Sequence, residues 1–476
     1  MSDGPASTPA DGGRPRRRST TVPPNYAARR MLVGTGIVTL VFAVAVVGWR
    51  WFGAGESPLD RGDAGWSTIA FVDRTSGDVV YVDRDGEVVA EAAGQGRTGS
   101  VYAGDGVVAV ANSRVLSVLP PAGDDDTDVV AIDLPAQAQV TTIRTTEGTF
   151  LATGVPTGGD VTLVDLDEGT TIDIGVAAEA GSPATPTMFV ETLRYDETGS
   201  MFAIADAANF QTIVVRFDEP EPVFLADQPL AVGSSLIATS QTVGLQADVS
   251  LVGLDRSAKA TVPADIPAGG VGVMSGERLT FVSASGGVYR VEPGDDEAER
   301  IGAVAVPAGA TIEWVGPAAD GRRIVVGGAT FEAVIDLDAR TLFSTTFPTA
   351  LRPTPPEPRW TCLPVGGEDG WHSIVDLESG EQVIELTTVD DVLGISADGC
   401  TVLGDIDGTA NLITADGVLG VGTYDRAVLA PDGRSVVGVR DDLIELVVVD
   451  DDMNADDPID LTGVAASNAL IAFVPD

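Results

Sequence analysis

The chain has 476 residues, a formal net charge of −43 and 44% hydrophobic residues. This length allows two or three ordinary domains or one large all-β ring. The acidic balance argues against nucleic-acid binding by the main domain, because a surface of this charge repels the phosphate backbone. The same charge favours solubility and attracts cations or basic partners.

Residues 1–30 form a basic tail that contains six arginines and two aspartates, so the rest of the chain carries a net charge of −47. The tail is rich in Pro, Gly, Ser and Thr, which predicts a disordered cytoplasmic segment. The three arginines at 16–18 can hold an anionic membrane leaflet, and a phosphate on Ser19 or Thr20 would weaken that hold. A plain topology signal is the alternative interpretation.

Residues 31–48 form an apolar run without a charge. At about 1.5 Å per residue this run just spans a hydrocarbon core of roughly 30 Å. Arginines precede it and aromatic residues follow it, which places the N-terminus in the cytoplasm and the main domain outside. A cleaved signal peptide, the alternative, has a shorter apolar region with a small-residue site after it. We therefore predict an uncleaved signal anchor at 31–49 and a juxtamembrane linker at 50–66.

A short sequence pattern recurs along the rest of the chain: two to four apolar residues, an acidic residue, then a turn. Ten copies occur between residues 83 and 450 at an average spacing of roughly 41 residues, which is typical of propeller blades. The copies end at Asp83, Asp133, Asp165, Asp218, Asp255, Glu292, Asp336, Asp376, the degenerate Thr414, and Asp450. Because the acidic residue closes a strand in nearly every copy, we predict that it forms the turn rather than a site.

Each repeat reads as four short strands. Residues 424–460 predict strands at 424–429, 435–439 and 443–449, with a fourth in the run to 461. Asp-Gly pairs, which favour tight hairpin turns, separate the first two strands of several repeats. These pairs are Asp320-Gly321, Asp398-Gly399 and Asp432-Gly433.

The segments Pro431-Asp432-Gly433-Arg434, Ala397-Asp398-Gly399 and Ala319-Asp320-Gly321-Arg322 give the chain a family resemblance. Residues 67–476 resemble the β-propeller repeat proteins of the WD-repeat and YVTN-like type. The resemblance implies an all-β fold, a single β-propeller of four-stranded antiparallel blades. It does not indicate an activity. Ten repeats are counted, and seven to ten blades fit the pattern because prolines interrupt it around 340–400.

The last repeat is shared between the two ends of the main domain. Residues 469–476 look like a first strand and its turn, and residues 67–91 look like second to fourth strands. Their union completes one blade and closes the ring, which removes exposed sheet edges.

The two cysteines, Cys362 and Cys400, occupy equivalent places in consecutive repeats. Neighbouring blades can bring such positions within the roughly 5.5–6 Å that a disulfide needs between Cα atoms, and the predicted location permits the bond. Two buried free thiols are the alternative.

Motifs for catalysis are absent from the sequence. His372 is the only histidine, and no Gly-x-Ser-x-Gly elbow, phosphate-binding loop or zinc ligand set accompanies it. We therefore predict a protein without catalytic residues or an organic cofactor.

One acidic loop is a candidate calcium site, because carboxylates at alternate positions suit Ca²⁺. Its predicted ligands are Asp450, Asp452, Asn454 and Asp456. The standard calcium-loop pattern fails at its sixth and twelfth positions, and a solvated loop between strands is the alternative. Residues 124–128 form a similar acidic run.

Together these features predict a membrane-anchored propeller at the outer face of a bacterial cytoplasmic membrane. We expect a non-enzymatic binding or scaffold module for an envelope protein, peptide or polymer, because loops from many blades converge on one rigid face. One alternative is a hydrolase or lyase that acts on glycans through paired carboxylates. The other is an envelope sensor that signals through the basic tail.

Overall fold

The structure is a computed structural model, and it describes residues 65–475 with short gaps. The gaps are residues 95, 105, 120–128, 180–183, 220, 244–245, 267–271, 319–321, 338–339, 347–359, 368–369, 387–388 and 451–452. The predicted tail at 1–30 and the predicted anchor at 31–49 lie outside the described residues. Within residues 65–475 the structure contains no helix of the length and apolarity that crossing a membrane requires.

The described residues form ten antiparallel sheets, each built from strands that follow one another in the chain. Blade 1 contains β1 (Trp66–Val72), β2 (Val79–Val82), β3 (Val88–Ala92) and the final strand β39 (Leu470–Pro475). Blade 2 contains β4 (Ser100–Ala103), β5 (Val108–Ala111), β6 (Val115–Leu119) and β7 (Val130–Asp133). Blade 3 contains β8 (Gln139–Arg144), β9 (Thr149–Gly154), β10 (Val161–Asp165) and β11 (Thr171–Asp173). Blade 4 contains β12 (Arg194–Tyr195), β13 (Phe202–Asp206), β14 (Gln211–Val215) and β15 (Val223–Ala226).

The next three blades follow the same order. Blade 5 contains β16 (Gln228–Val232), β17 (Leu236–Val243), β18 (Gln246–Gly253) and β19 (Ala258–Ala264). Blade 6 contains β20 (Gly272–Ser275), β21 (Arg278–Val282), β22 (Gly287–Val291) and β23 (Glu299–Ala303). Blade 7 contains β24 (Trp314–Pro317), β25 (Arg323–Gly328), β26 (Phe331–Asp336) and β27 (Arg340–Thr346).

The last three blades complete the ring. Blade 8 contains β28 (Cys362–Gly367), β29 (Gly370–Asp376) and β30 (Gln382–Glu385). Blade 9 contains β31 (Asp391–Ile395), β32 (Val402–Ile406), β33 (Thr409–Thr414) and β34 (Gly417–Gly422). Blade 10 contains β35 (Arg426–Leu429), β36 (Ser435–Arg440), β37 (Leu443–Val448) and β38 (Ile459–Asp460).

This arrangement confirms the predicted all-β propeller and its count of ten blades. First strands of neighbouring blades lie against one another, as β16 does with β20 and β31 with β35, so they form the inner side of the ring. Blade 8 has three strands among the described residues. Its β29 ends at Asp376, the residue type that closes the third strand elsewhere, so β28 to β30 correspond to second to fourth strands.

Blade 1 joins the two ends of the domain as predicted. Strand β39 pairs antiparallel with β1 at six positions, from Trp66↔Pro475 to Val72↔Leu470. Strand β39 therefore supplies the first strand of a blade whose other three strands lie at the start of the domain. Strand β1 begins at Trp66, one residue before the predicted domain start.

Buried apolar residues fill the interface between every pair of neighbouring blades. One cluster joins blades 10, 1 and 2, and eight further clusters bridge the remaining neighbours in turn. Side chains alternate between the two faces of a strand, and both faces of these sheets are covered, so the strands read as runs of Val, Ile, Leu and Ala. Burial of each large side chain contributes about 1.5–3 kcal/mol.

The antiparallel order gives the ring two faces with different connections. The turn face carries the links from first to second and from third to fourth strands, for example residues 144–149, 396–401 and 430–435. The connector face carries the hairpins from second to third strands and the links between blades, for example residues 155–160, 174–193 and 206–211.

Candidate functional site

Several of the recurring acidic residues form turns, as the sequence predicts, whereas Asp218 and Glu292 pair with Arg216 and Arg278. The Asp83 carboxylate accepts hydrogen bonds from the backbone N–H groups of Asp85 and Glu87. The Asp165 carboxylate accepts hydrogen bonds from the backbone N–H groups of Asp167 and Glu168. The Asp255 carboxylate accepts the backbone N–H of Ser257, and the Asp376 carboxylate accepts that of Ser379. These carboxylates satisfy their own backbone, which is the expected use of aspartate at turns.

The candidate calcium loop is also held by its own hydrogen bonds. The Asp450 carboxylate accepts from the backbone N–H of Asn454 at 2.8 Å and from the Asn454 side-chain amide. Asp456 is exposed, and Asp452 lies outside the described residues. Among the described residues no group of three His, Cys, Asp or Glu side chains is arranged to hold a metal ion. Calcium binding by this loop stays a prediction. The similar acidic run at 124–128 lies outside the described residues.

The first turns of neighbouring blades are bonded to one another across the turn face. In the described chain these inter-blade bonds occur at six of the ten blade interfaces. The bonds are Gly106 N–H to Pro475 O, Thr146 N–H to Glu197 O, Ser235 Oγ to Glu277 Oε1, Cys362 N–H to Asp398 O, Ala397 N–H to Pro431 O, and Trp66 Nε1 to Asp432 Oδ2. Because each bond links two blades, the turn face resists local opening.

A disulfide reinforces this face. Cys362, at the start of β28, is bonded to Cys400 in the first turn of blade 9, with 4.9 Å between their Cα atoms. The predicted pairing is confirmed. In the same turn the Asp398 carboxylate accepts from the Cys400 N–H, and Gly399 has a φ of +79°, the conformation for which the Asp-Gly pair is favoured. The Asp320-Gly321 pair lies outside the described residues.

The connector face departs from the repeat between blades 3 and 4. Residues 174–179 and 184–192, which we call the connector segment, contain the helix α1 (Ile174–Glu179) and the 3₁₀ turn η1 (Val190–Thr192). The Asp173 carboxylate accepts the Val176 N–H and so caps the start of α1. Ile174 and Ala178, one turn apart, pack against the core of blades 3 and 4, and this leaves Val176 65% exposed.

The connector segment is tightly packed against the hairpins on both sides. A Cβ on Gly175 would lie 2.3 Å from the Asp160 carboxylate, so only glycine permits this approach. Met188 forms backbone bridges to Gly159 of blade 3 and to Asp206 of blade 4. The segment is therefore held between two blades.

Asp206 organises the hairpin between β13 and β14, which we call the knob hairpin (residues 206–211). Asp206 as a residue is 1% exposed, and its carboxylate accepts hydrogen bonds from the N–H groups of Thr187, Ala208 and Asn209. It also accepts from the side-chain amides of Asn209, at 2.6 Å, and Gln211. The Asn209 side-chain amide forms two hydrogen bonds with the backbone of Ala184, one as donor and one as acceptor. A buried carboxylate needs such partners to offset its lost hydration.

Phe210 stands at the tip of the knob hairpin. Its side chain is 83% exposed, and its φ is +54°. Among the described residues with positive φ it is the one aromatic. Neither α1 nor the exposed Phe210 was predicted from the sequence. The available signals were Asp173 as a helix cap before an Ala-containing run, and a phenylalanine after Asn209 where a turn residue is expected.

Two pairs of neighbouring carboxylates lie on the connector face, and paired carboxylates are what the glycan-hydrolase alternative requires. Burial raises the pKa of Asp227, and the nearby Asp248 carboxylate raises it further. Burial also raises the pKa of Asp391, and Asp405 adds to the effect. Asp405 is engaged in a turn, where it accepts the Gly408 N–H. A raised carboxyl pKa is a property of general acids, but it also arises wherever like charges are partly buried.

Several solved structures are similar to this chain at low sequence identity. No family model and no curated protein matches the chain. Among solved structures, a eukaryotic initiation factor has a TM-score of 0.40 at 11% identity, with 83% of this chain and 96% of that chain covered. The C-terminal WD40 domain of Sif2 has a TM-score of 0.38 at 11% identity, with coverage of 71% and 92%. AztD of Citrobacter koseri has a TM-score of 0.36 at 11% identity, with 86% of this chain and 98% of that chain covered.

The strand pairing described above defines the chain as a ten-bladed β-propeller. The predicted resemblance to propeller repeat proteins is thereby confirmed for the fold.

Proposed function

We propose that the chain is a membrane-anchored, extracytoplasmic β-propeller that serves as a non-enzymatic binding module for a protein, peptide or polymer of the cell envelope. The observation that carries this proposal is the connector segment with its adjoining knob hairpin. It interrupts the repeat on one face, is rigidly packed, and still exposes Val176 and Phe210. Exposed apolar side chains on a rigid surface are typical of interaction sites.

The construction of the ring also supports a binding role. The turn face is interlocked by bonds between blades, so the connector face is carried on a rigid base. Loops on such a base lose little conformational entropy when a partner binds. The disulfide is compatible with a location outside the cytoplasm, and the apolar run at 31–48 supplies an anchor.

Crosslinking of the tagged full-length chain in intact membranes tests the proposal. We expect one envelope component to be recovered in stoichiometric amount after purification in detergent. A chain of residues 1–66 is the matched control, because it keeps the predicted anchor and lacks the propeller. Recovery of no component above this control would contradict the proposal, and turnover of a glycan panel by the full chain would favour the hydrolase or lyase instead.

A further inference from the structure

Phe210 combines exposure with an unfavourable backbone conformation. A bulky residue with positive φ is a genuine conformational outlier, because its Cβ crowds the backbone in the left-handed region. Asn or Gly would occupy this turn position with less strain. Such strain persists only where the surroundings impose it, and it is concentrated at functional sites. Here five hydrogen bonds to the buried Asp206 carboxylate hold the hairpin that carries Phe210.

Val176 is a second exposed apolar residue, on the helix that packs beside the strand after Phe210. Helix α1 lies beside β14, the strand that directly follows Phe210. Ile174 and Ala178 of the helix share one apolar cluster with Ile213 of β14, which fixes the helix on this strand. The exposed side of α1 therefore presents Val176 from the element next to the knob hairpin.

The charge around these residues indicates the kind of partner. The exposed acidic residues Asp160, Asp173 and Glu191 belong to the elements that surround α1. Residues 155–192 and 206–211 contain no lysine or arginine. A partner that covers this surface needs positive charge around its apolar contact, because like charges brought together oppose association.

We infer that Phe210 and Val176 are the docking site for a protein partner that offers an apolar pocket rimmed by lysine or arginine. Phe210 enters the pocket as the anchor, and the acidic residues meet the basic rim. Central aromatic anchors of this type dominate the free energy of many interfaces. This inference rests on the proposed binding function and names the partner of that function.

Peptides selected from a random displayed library on the detergent-solubilised full chain provide the probe. We expect them to combine aromatic or aliphatic residues with lysine or arginine, and to bind more weakly as salt concentration rises. Phe210→Asn should weaken their binding by at least about tenfold, as expected for loss of an anchor. Val418→Ala is the matched control, since Val418 is 58% exposed on β34 of blade 9; its effect should be within about twofold.

Phe210→Asn also separates docking from folding. Because asparagine tolerates positive φ, the variant should melt at or above the temperature of the original chain while it binds less. Peptide binding by Phe210→Asn within twofold of the original chain would overturn the inference, as would selection of peptides without basic residues or of none.

The membrane crosslinking experiment distinguishes the two proposals. If the envelope component is recovered equally with Phe210→Asn, the docking site is wrong and the binding function stands. If the unaltered chain recovers no component, the binding function itself fails. Loss of recovery with Phe210→Asn but not with Val418→Ala supports both.

Discussion

The indole Nε1 of Trp66 donates a hydrogen bond of 3.0 Å to the carboxylate of Asp432, 366 positions further along the chain. This bond crosses from the second strand of blade 1 to the first turn of blade 10. Phe473 of β39 packs edge-on against the same indole, and Arg84 lies over its face. Trp66 therefore contacts all three parts of the chain that meet where the ring closes.

Loss of the indole donor should weaken this closure measurably. Trp66→Phe keeps an aromatic ring but removes the bond to Asp432, which we expect to lower the free energy of unfolding by about 1 kcal/mol beyond the loss of buried area. Trp314→Phe is the matched control, because the buried Trp314 Nε1 has no hydrogen-bond partner among the described residues. Urea denaturation measures both variants, and equal losses would contradict the prediction.

Deletion of residues 467–476 should abolish cooperative unfolding of the propeller. Strand β39 contributes six buried residues, and at about 1.5–3 kcal/mol for each of its four large side chains the loss is comparable to a typical total stability of about 5–15 kcal/mol. Calorimetry measures the transition. Deletion of residues 1–30, which removes none of the described strands, is the control, and an unchanged melting curve of the first truncation would refute closure through β39.

Reduction of the Cys362–Cys400 bond should destabilise the domain without unfolding it at room temperature. The bond closes a loop between cysteines 38 positions apart, for which the chain-entropy model gives about 3–4 kcal/mol. Urea denaturation with and without a reducing agent measures the difference. The double variant Cys362→Ser, Cys400→Ser should be insensitive to the reductant; identical transitions of the oxidised and reduced chain would contradict the prediction.

Two aspartates in blades 1 and 3 should respond to pH in opposite directions. Backbone N–H groups of Ser76 and Thr75 lower the pKa of Asp73, whereas burial raises the pKa of Asp165. The ionised Asp73 thus stabilises the fold above the pKa of an unfolded aspartate, and this contribution is lost as pH falls through its lowered pKa. Ionisation of Asp165 instead costs stability as pH rises from about 4 through its raised pKa.

Asp73→Asn should therefore lower the free energy of unfolding at neutral pH, and Asp165→Asn should increase it. An asparagine oxygen still accepts the Asp165 turn bonds. Both differences should diminish below the pKa of the free side chain. Denaturation curves at several pH values measure them, and the same sign for both variants would contradict the assignment.

Asp206→Ala should release the knob hairpin from the connector segment. Three backbone N–H groups would lose their buried acceptor, so we expect a loss of about 3 kcal/mol in the free energy of unfolding. Hydrogen exchange should accelerate at residues 184–189 and 207–211 but not in blade 9. Unchanged exchange at the hairpin would show that Asp206 does not hold it.

The repeat was predictable because each blade uses the same local chemistry. In blade 10 the second strand, Ser435–Arg440, and the third, Leu443–Val448, differ from the prediction by one residue at most. The first strand begins at Arg426 rather than 424, and the carboxylate of the preceding Asp425 accepts the N–H of Asp441. Apolar runs and Asp-Gly turns are local signals, so a single sequence reveals them.

The candidate site was not predictable for the opposite reason. Helix α1 has only six residues, too few to be stable alone, and exists through packing of Ile174 and Ala178 on blades 3 and 4. Phe210 has a positive φ in a hairpin that Asp206 holds to residues up to 19 positions away. No local pattern in the sequence reports such tertiary constraints.

The pairing of β1 with β39 also governs how the domain bears mechanical load. Tension that enters through the chain before Trp66 acts along β1, which is held by β39 on one side and β2 on the other. The ladder bonds lie perpendicular to antiparallel strands, so such a pull shears all of them together instead of unzipping them one by one. In the membrane-anchored arrangement proposed above, the blade that closes the ring would also bear the force on the tethered domain.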